Sequence, residues 1–402
     1  MAHYHPIGRC RDERQCSGTG LQGAGQAQGP AASSGPVMLQ DQGTFFADED
    51  ARDLRLTKKA LGSRSGAVVL LLVVAVLAVG CASNAPQDTL RPAGTNANKE
   101  LGLYQLVFWV AVVVFVLVQG LVIVAIVRFR RRDGDDEKEP VQVHGNTRLE
   151  LGWTIAPALI LLVLAIPSIA TIFELARVPK GHPLDVTIVG HQFWWEYRYT
   201  DADTGFNTAN ELHIPTGRSV RITENGKLGN ADVIHSWWVP KLSGKTDNIP
   251  GRINKLTLRT DKPGTYLGQC AEFCGLSHAN MRLRVIAEKP ADFARWVTAQ
   301  KQPGAPKQSD DSPAGQGRLL FEAKGCSGCH TVTGLSRGKV GPNLTHVYSR
   351  ETFAGGMFEM NADNLRRWLH NPPGEKPGAR MPNLNLAPQE ITQLIAYLQT
   401  LE

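Results

Sequence analysis

Three apolar runs stand out in the first half of the chain. Ala67 to Gly80 holds about fourteen apolar residues after Arg64, too few for a bilayer span. A basic flank, a short apolar core and small residues at its end predict a secretory signal over 64–81. Residues 101–127 are almost wholly apolar, with Gln119 as the strongly polar side chain inside, placed to hydrogen-bond a neighbouring helix. The third run covers 151–173 and contains Pro157 and Pro167, which membrane helices tolerate when neighbours satisfy the freed carbonyls. Both longer runs can cross a bilayer, so 101–127 and 151–174 are predicted as a transmembrane hairpin. Arg128, Arg130, Arg131 and Arg132 follow the first span, and such clusters stay on the cytoplasmic side. The loop 128–150 is therefore expected inside and both outer ends of the hairpin outside, where a secretory signal also sends the N-terminus.

Beyond Leu184 the pattern changes to short alternating segments. Asp185 to Val189, Ser219 to Thr223 and Lys255 to Arg259 alternate with period two, and Asn225-Gly226, Pro250-Gly251 and Pro263-Gly264 supply turns. Strands at this spacing predict an all-β sandwich or barrel over 178–288. Residues 289–314 are expected to be a linker, richest in Gln, Pro, Asp, Ser and Gly from Lys301 to Gly315. Residues 315–402 are expected to form a separate domain that ends in an apolar-faced helix from Pro388 to Leu401. At the other end, residues 1–63 lack apolar periodicity and are expected to be a disordered leader. Translation is expected to begin later, at Met38 or beyond. Residues 82–100 are expected to be a polar tether.

The 402 residues suit two or three domains. A net charge of +6 is not gathered on one face, so no nucleic-acid partner is expected. The cysteines carry more information. Cys10 and Cys16 lie in the leader and Cys81 follows the first apolar run. Cys270 and Cys274 begin a run that continues through His278 to Met281. Thiolate and thioether are soft ligands and imidazole is intermediate, which suits copper better than magnesium or calcium. A Cys270–Cys274 disulfide would leave His278 and Met281 unexplained. With His235, which lies upstream in a strand-like segment, the run also satisfies a tetrahedral zinc site. A mononuclear blue-copper site would leave one thiolate over, whereas two copper ions would use every residue. The last two cysteines stand in Cys326-Ser327-Gly328-Cys329-His330, the spacing for covalent haem c with His330 as axial ligand. Met357, Met360 and Met381 are candidates for the sixth ligand, with His346 and His370 behind them.

Ile249-Pro250-Gly251-Arg252, Pro263-Gly264-Thr265-Tyr266, Gly268-Gln269-Cys270, the run to Met281 and His235-Ser236-Trp237 together resemble subunit II of the cytochrome c oxidases. The resemblance implies a Greek-key cupredoxin domain with a dinuclear copper centre. It gives the ligands as His235, Cys270, the Glu272 backbone carbonyl, Cys274, His278 and Met281. The Glu272 carboxylate is then expected to face a magnesium or manganese ion at the border with subunit I. Glu150, before Gly152-Trp153-Thr154, is expected at the mouth of a proton pathway and also as a helix N-terminal carboxylate. In the aromatic run from Gly190 to Tyr199, the family commonly has a Trp directly after the Gln as electron acceptor. Phe193 stands there instead, and Trp194 and Trp195 are candidates for an electron route. His191 and His213 are expected to be surface or supporting histidines. Val340-Gly341-Pro342-Asn343-Leu344, Leu365-x-x-Trp368-Leu369 and Arg380-Met381-Pro382 resemble class I cytochromes c, which implies an all-α domain with Met381 as the sixth ligand. Cys81 resembles a lipoprotein cleavage site, with ordinary signal cleavage near Ala82-Ser83-Asn84-Ala85 as the alternative.

Taken together, the resemblance implies a subunit II with its own cytochrome c domain, the caa type, in a bacterial inner membrane with copper and haem domains in the periplasm. Expected partners are subunit I, subunit III, membrane lipid and a cytochrome c or bc1-type donor. Electrons would pass from haem to copper to subunit I, where oxygen becomes water with proton pumping. Two alternatives remain open: an electron-accepting subunit of a copper-module nitric oxide reductase, and a membrane metal-handling protein with an attached cytochrome. A quinol oxidase would need no copper ligands.

Overall fold

The computed structural model describes residues 68–69, 71–75, 85–130, 142, 144–177, 181–201, 204–226, 232–304 and 308–402. Cys10, Cys16, Met38, Cys81, Arg131 and Arg132 lie outside the described residues. Two long helices, α1 (Thr95–Arg128) and α2 (Thr147–Leu175), pack together as a hairpin whose apolar side chains face outward. Both are long and apolar enough to cross a membrane. Each begins before its apolar run. The first turns of α1 are expected in the tether but dock on the β domain: Asn96 and Ala97 are buried, and the Asn96 amide donates to Thr257 O at 2.7 Å. Ahead of them, Ala93 N and Gly94 N donate to Lys241 O at 2.8 and 2.9 Å. The start of α2 is fixed by Asn146, whose side chain accepts from the N–H groups of Arg148 and Leu149. Pro157 and Pro167 lie inside α2 without ending it. Lys99 and Glu174 pair at 2.8 Å where the hairpin meets the outer domain.

Among the described residues the outer domain contains ten strands: β1 (Leu184–His191), β2 (Trp194–Tyr199), β3 (Phe206–Ala209), β4 (Glu211–Pro215), β5 (Val220–Asn225), β6 (His235–Trp238), β7 (Thr246–Asn248), β8 (Ile253–Leu258), β9 (Gly264–Cys270) and β10 (Arg282–Glu288). They make two five-stranded sheets, ordered β3-β2-β1-β5-β8 and β4-β10-β9-β6-β7. The β1–β5 and β4–β10 pairs are parallel and the other pairs antiparallel. Alternate residues such as Val186, Ile188, Tyr197, Ile222, Leu212 and Val285 meet between the sheets and form one core. The alternating pattern predicts such a two-sheet sandwich, and the family resemblance implies its cupredoxin-like arrangement.

Residues 289–314, expected as a linker, begin with helix α3 (Pro290–Gln300). Its Phe293 is buried in the β core, and Trp296 and Val297 pack against the same core. That i, i+3, i+4 spacing puts all three on one face, so the segment gains more from burial than a free linker would. His213 is consequently no free surface residue, because its ring stacks on Trp296 at 4.1 Å.

The final domain is built from α4 (Pro313–Ala323), the haem-motif turn α5 (Cys326–Cys329), α6 (Ala362–His370), the short α7 (Pro372–Glu375) and α8 (Pro388–Leu398). Helices α4 and α8 cross closely. Gly317 makes this possible, since a Cβ there would fall 2.0 Å from Gln393 O. Phe321, Leu365, Leu394, Ile395 and Tyr397 form a second core.

Candidate metal centre and haem pocket

Strand β6 carries His235 and β9 ends at Cys270, and the two strands pair directly through Trp237 and Cys270. The loop from Ala271 to Met281 then folds back over the strand ends. Its closure is fixed by Cys270 N donating to Met281 O at 2.9 Å and Ala271 N donating to Ser236 O at 2.8 Å. The loop gathers the donor atoms inward. Cys270 Sγ and Cys274 Sγ lie 3.9 Å apart, far beyond a disulfide bond, and both thiols are free. His235 Nδ1 is 3.9 Å from Cys270 Sγ, and His278 Nδ1 is 3.6 Å from Cys274 Sγ. Met281 Sδ lies 3.8 Å from Cys274 Sγ, and Glu272 O lies 3.3 Å from Cys270 Sγ. The structure thus brings together all six groups expected from the sequence. His235, Cys270, Cys274 and Met281 are buried, while the Glu272 side chain is exposed.

The electrostatics suit a cation. A hydrogen bond from Cys274 favours a thiolate on Cys270 against the cost of burial and pulls its pKa well down. Asp232 accepts from His235 Nε2 at 3.1 Å, which turns Nδ1 toward the sulfurs. A carboxylate behind a ligating imidazole fixes tautomer and orientation. Burial opposes ionisation of Asp232, but the hydrogen bonds from His235, Gln192 and Val233 hold its pKa at about 2. Sequence reasoning missed Asp232, although its place three residues before His235 was a usable signal. Gly190 is the close neighbour on the other side: a Cβ there would lie 2.7 Å from His235 Cδ2.

A cavity of about 250 Å³ lies in the cytochrome domain, lined by Cys326, Cys329, His330 and Met381 among others. His330 Nδ1–H donates to Pro342 O at 2.8 Å, leaving Nε2 free. Burial lowers the His330 pKa and keeps the imidazole neutral, as ligation requires. Met357 and Met360 do not line this cavity. His346 uses both ring nitrogens on backbone carbonyls, Glu402 O at 2.6 Å and Gln302 O at 3.0 Å, and His370 is exposed. Arg350 also lines the cavity, and its buried Nε has no partner. A guanidinium with an unmet N–H beside an apolar cavity fits a flat apolar group that carries acidic substituents, as haem does.

The copper-side domain supplies part of the same cavity wall through His191, Gln192, Phe193 and Trp194. His191 is buried, not at the surface, and stacks on Trp194 at 4.4 Å. Trp195 is fully buried with its ring 5.7 Å from the ring of His235. Gln192 lines the cavity while its Nε2 donates to Cys274 O at 2.6 Å. Phe193 touches both sides: its ring lies against Gly275 of the metal loop and Gly378 of the cytochrome domain, within 3.2 and 3.1 Å of where a Cβ would stand. Arg380, next to Met381, pairs with Asp232 at 2.7 Å. Far from these sites, Glu150 sits exposed in the first turn of α2, its Oε1 accepting from Asn146 N at 3.2 Å.

Comparison with known proteins agrees with this arrangement. Residues 84–171 match the cytochrome c oxidase subunit II transmembrane domain, 205–288 its periplasmic domain and 314–402 the cytochrome c family. The chain is 36% identical over 329 residues to cytochrome c oxidase subunit 2 of Alkalihalophilus pseudofirmus, covering 80% of this chain and 93% of that one. It is 35% identical over 349 residues to that of Bacillus sp. strain PS3, covering 82% and 95%. The Bacillus subtilis protein of the same name is 34% identical over 355 residues, covering 83% and 97%. A membrane hairpin, a two-sheet domain with a thiolate-rich loop and a fused haem-motif domain, in this order, place the chain in the cytochrome c oxidase subunit II family, among the members that carry their own C-terminal cytochrome c domain.

Proposed function

We propose that this chain takes electrons at its cytochrome c domain and passes them through a dinuclear copper centre to haem in subunit I. The observation that carries this reading is the pair of free sulfurs 3.9 Å apart, each with its own imidazole Nδ1 within 3.9 Å. One thiolate with two imidazoles suits a single copper. Two thiolates with one imidazole each, plus Met281 and the Glu272 carbonyl, suit two. Cys270, Cys274, His235, His278, Met281 and the Glu272 carbonyl would together hold the two ions. Cys326 and Cys329 would bind haem covalently, and His330 and Met381 would hold its iron. When bound, both groups accept and release one electron at a time.

The protein's own residues supply orientation and packed contacts between the sites. Asp232 holds His235 in one tautomer, and Pro342 O does the same for His330. Gln192 and Phe193 lie between the cavity and the metal loop, and Trp195 is fully buried beside His235. Trp194 and Trp195 form the route we favour, because one stacks at the cavity wall and the other reaches His235. The exposed Glu272 carboxylate is available to a magnesium or manganese ion at the subunit I border. Glu150 would stand at the mouth of the pumping pathway on the cytoplasmic side. We place both redox domains in the periplasm of a bacterial inner membrane, with a lipid on Cys81, subunit III as a neighbour and a cytochrome c or bc1-type donor.

Metal analysis of the purified full chain tests the core of this proposal. A copper-to-iron ratio of about two to one is expected. A ratio near one to one would mean a mononuclear centre, and zinc in place of copper would remove the relay.

A further inference from the structure

Two buried ionisable side chains lie where the cytochrome domain meets the copper-side domain, and one of them, Lys376, also lines the haem cavity. Lys376 follows α7 in the cytochrome domain and is 2% exposed. Its Nζ donates to Phe193 O at 2.7 Å, Asn280 O at 3.0 Å and Ala354 O at 2.7 Å. Phe193 lies in the β1–β2 turn and Asn280 in the metal loop, so two of the three carbonyls belong to the copper-side domain. An ammonium has three donors, and here all three are used. Glu211 is the reciprocal case. It opens β4 of the copper-side domain and is also 2% exposed. Its carboxylate accepts from Thr352 N at 2.7 Å, Thr352 Oγ1 at 2.8 Å and Glu351 N at 3.1 Å, all in the cytochrome domain.

Each ion is thus satisfied by neutral groups, most of them across the boundary. Desolvated charges tolerate little displacement, since a small shift leaves them buried and unpaired. Transient encounters rest instead on exposed charges at a rim. Two further contacts are of the built kind: Arg282 N donates to Gly355 O at 2.8 Å, and Ser277 Oγ donates to Pro377 O at 2.6 Å.

We propose that Lys376 and Glu211 form a reciprocal clamp that fixes the cytochrome domain on the copper-side domain in a single pose. Electron transfer within the chain then proceeds from this pose and needs no diffusive search by a tethered domain. The electron step rests on the function proposed above; the clamp itself does not. Both residues act by positioning.

The test uses the full chain in the assembled oxidase, as wild type and as Lys376→Met and Glu211→Gln. Backbone amide exchange is read at the far latch in each variant, at Thr352 for Lys376→Met and at Arg282 for Glu211→Gln. Each amide belongs to a bond that the mutated side chain does not itself make, Thr352 N to Glu211 and Arg282 N to Gly355 O. Light-triggered haem-to-copper electron transfer is followed in parallel, with and without glycerol. In the wild type both amides are protected and the rate is independent of viscosity. In each variant we expect far-latch exchange at least about tenfold faster and the rate at least about tenfold slower and now viscosity-dependent, with the haem and copper absorption bands unchanged in Glu211→Gln. Variants that keep far-latch protection and a rate within about twofold of wild type would overturn the clamp, as would a viscosity-dependent wild type. If Lys376→Met fails to accumulate, Glu211→Gln decides alone. Missing copper or haem bands in the wild type would refute the proposed function, and the amide exchange would still judge the clamp.

Discussion

Glu224 offers a sharp test of the electrostatics beside the metal centre. It lies on β5, fully buried. Its Oε2 accepts from Asn248 Nδ2 at 3.0 Å, and its Oε1 has no partner. Burial pushes its pKa up to about 8; the Asn248 hydrogen bond opposes this, and the nearby Asp247 and Cys270 add to it. The folded protein therefore holds this proton more tightly than the unfolded chain does, whose carboxyl titrates near 4.5. Stability from this group is fully present below about pH 4.5 and is lost progressively as pH rises to about 8. At roughly 1.4 kcal/mol per pH unit across that window, the loss is on the order of 5 kcal/mol, with about 3 kcal/mol already gone at pH 7. That is a large share of the ~5–15 kcal/mol that holds a typical domain together.

The perturbation is Glu224→Gln, which keeps the shape and cannot ionise. The new amide N–H₂ can cost roughly 1–3 kcal/mol if it faces the unpartnered side, but that cost does not vary with pH. The diagnostic is therefore the slope. Urea unfolding of the metal-loaded full chain in detergent, followed by the fluorescence of buried Trp195 and Trp237, is compared at about pH 5, 7 and 9. The variant's advantage over wild type should grow by roughly 3 kcal/mol or more between the first and last of these. A difference that stays flat within about 1 kcal/mol would show that the carboxyl does not hold its proton in the fold, and the account of this buried group would fail.

Three further outcomes follow from close contacts. Gly190→Ala should push the His235 ring off its position, because the new Cβ would sit 2.7 Å from Cδ2; we expect about 1–3 kcal/mol of destabilisation and copper retention reduced at least about tenfold after dialysis against a chelator. Met381→Ala should abolish the visible spectrum of a Met-ligated haem and lower its potential, whereas Met357→Ala should leave both in place; the opposite result would move the sixth ligand. Trp296→Ala should cost about 3 kcal/mol and free α3, since Trp296 stacks on His213 and packs against Tyr199; calorimetry of the full chain would show it as a lowered transition temperature.

What could be read in the sequence was what repeats or clusters locally. The spans, the alternating strands, the run from Cys270 to Met281 and the Cys326–His330 motif each declare themselves within about thirty residues. Glu272 was assigned by resemblance, and its carbonyl does face Cys270 Sγ at 3.3 Å. The failures have a common physical origin. The start of α1 at Thr95 and the helix α3 draw their stability from surfaces more than forty residues away, Thr257 for one and His213 for the other. A composition rich in Pro and Gln over 301–315 pulled the expected linker too far upstream, past the one apolar face that Phe293, Trp296 and Val297 make.

The contacts between the two redox domains were the least legible of all. Lys376 meets Phe193 across 183 positions, and Glu211 meets Thr352 across 141. Neither belongs to a motif, and a lone Lys or Glu in a sequence is usually a solvated surface charge. Phe193 shows the same limit from another side. Its departure from the family's Trp suggests a lost electron acceptor, yet its ring lies between Gly275 and Gly378, one from each domain. An indole that must receive a diffusing partner needs an open face. A position packed between two domains of one chain needs a shape that fills the gap, and phenyl meets that requirement without a buried N–H to satisfy. If the cytochrome domain is clamped, the substitution and the fused donor are two parts of one arrangement. The linker then fixes only which domain docks, and the rate is governed by the packed residues between the sites.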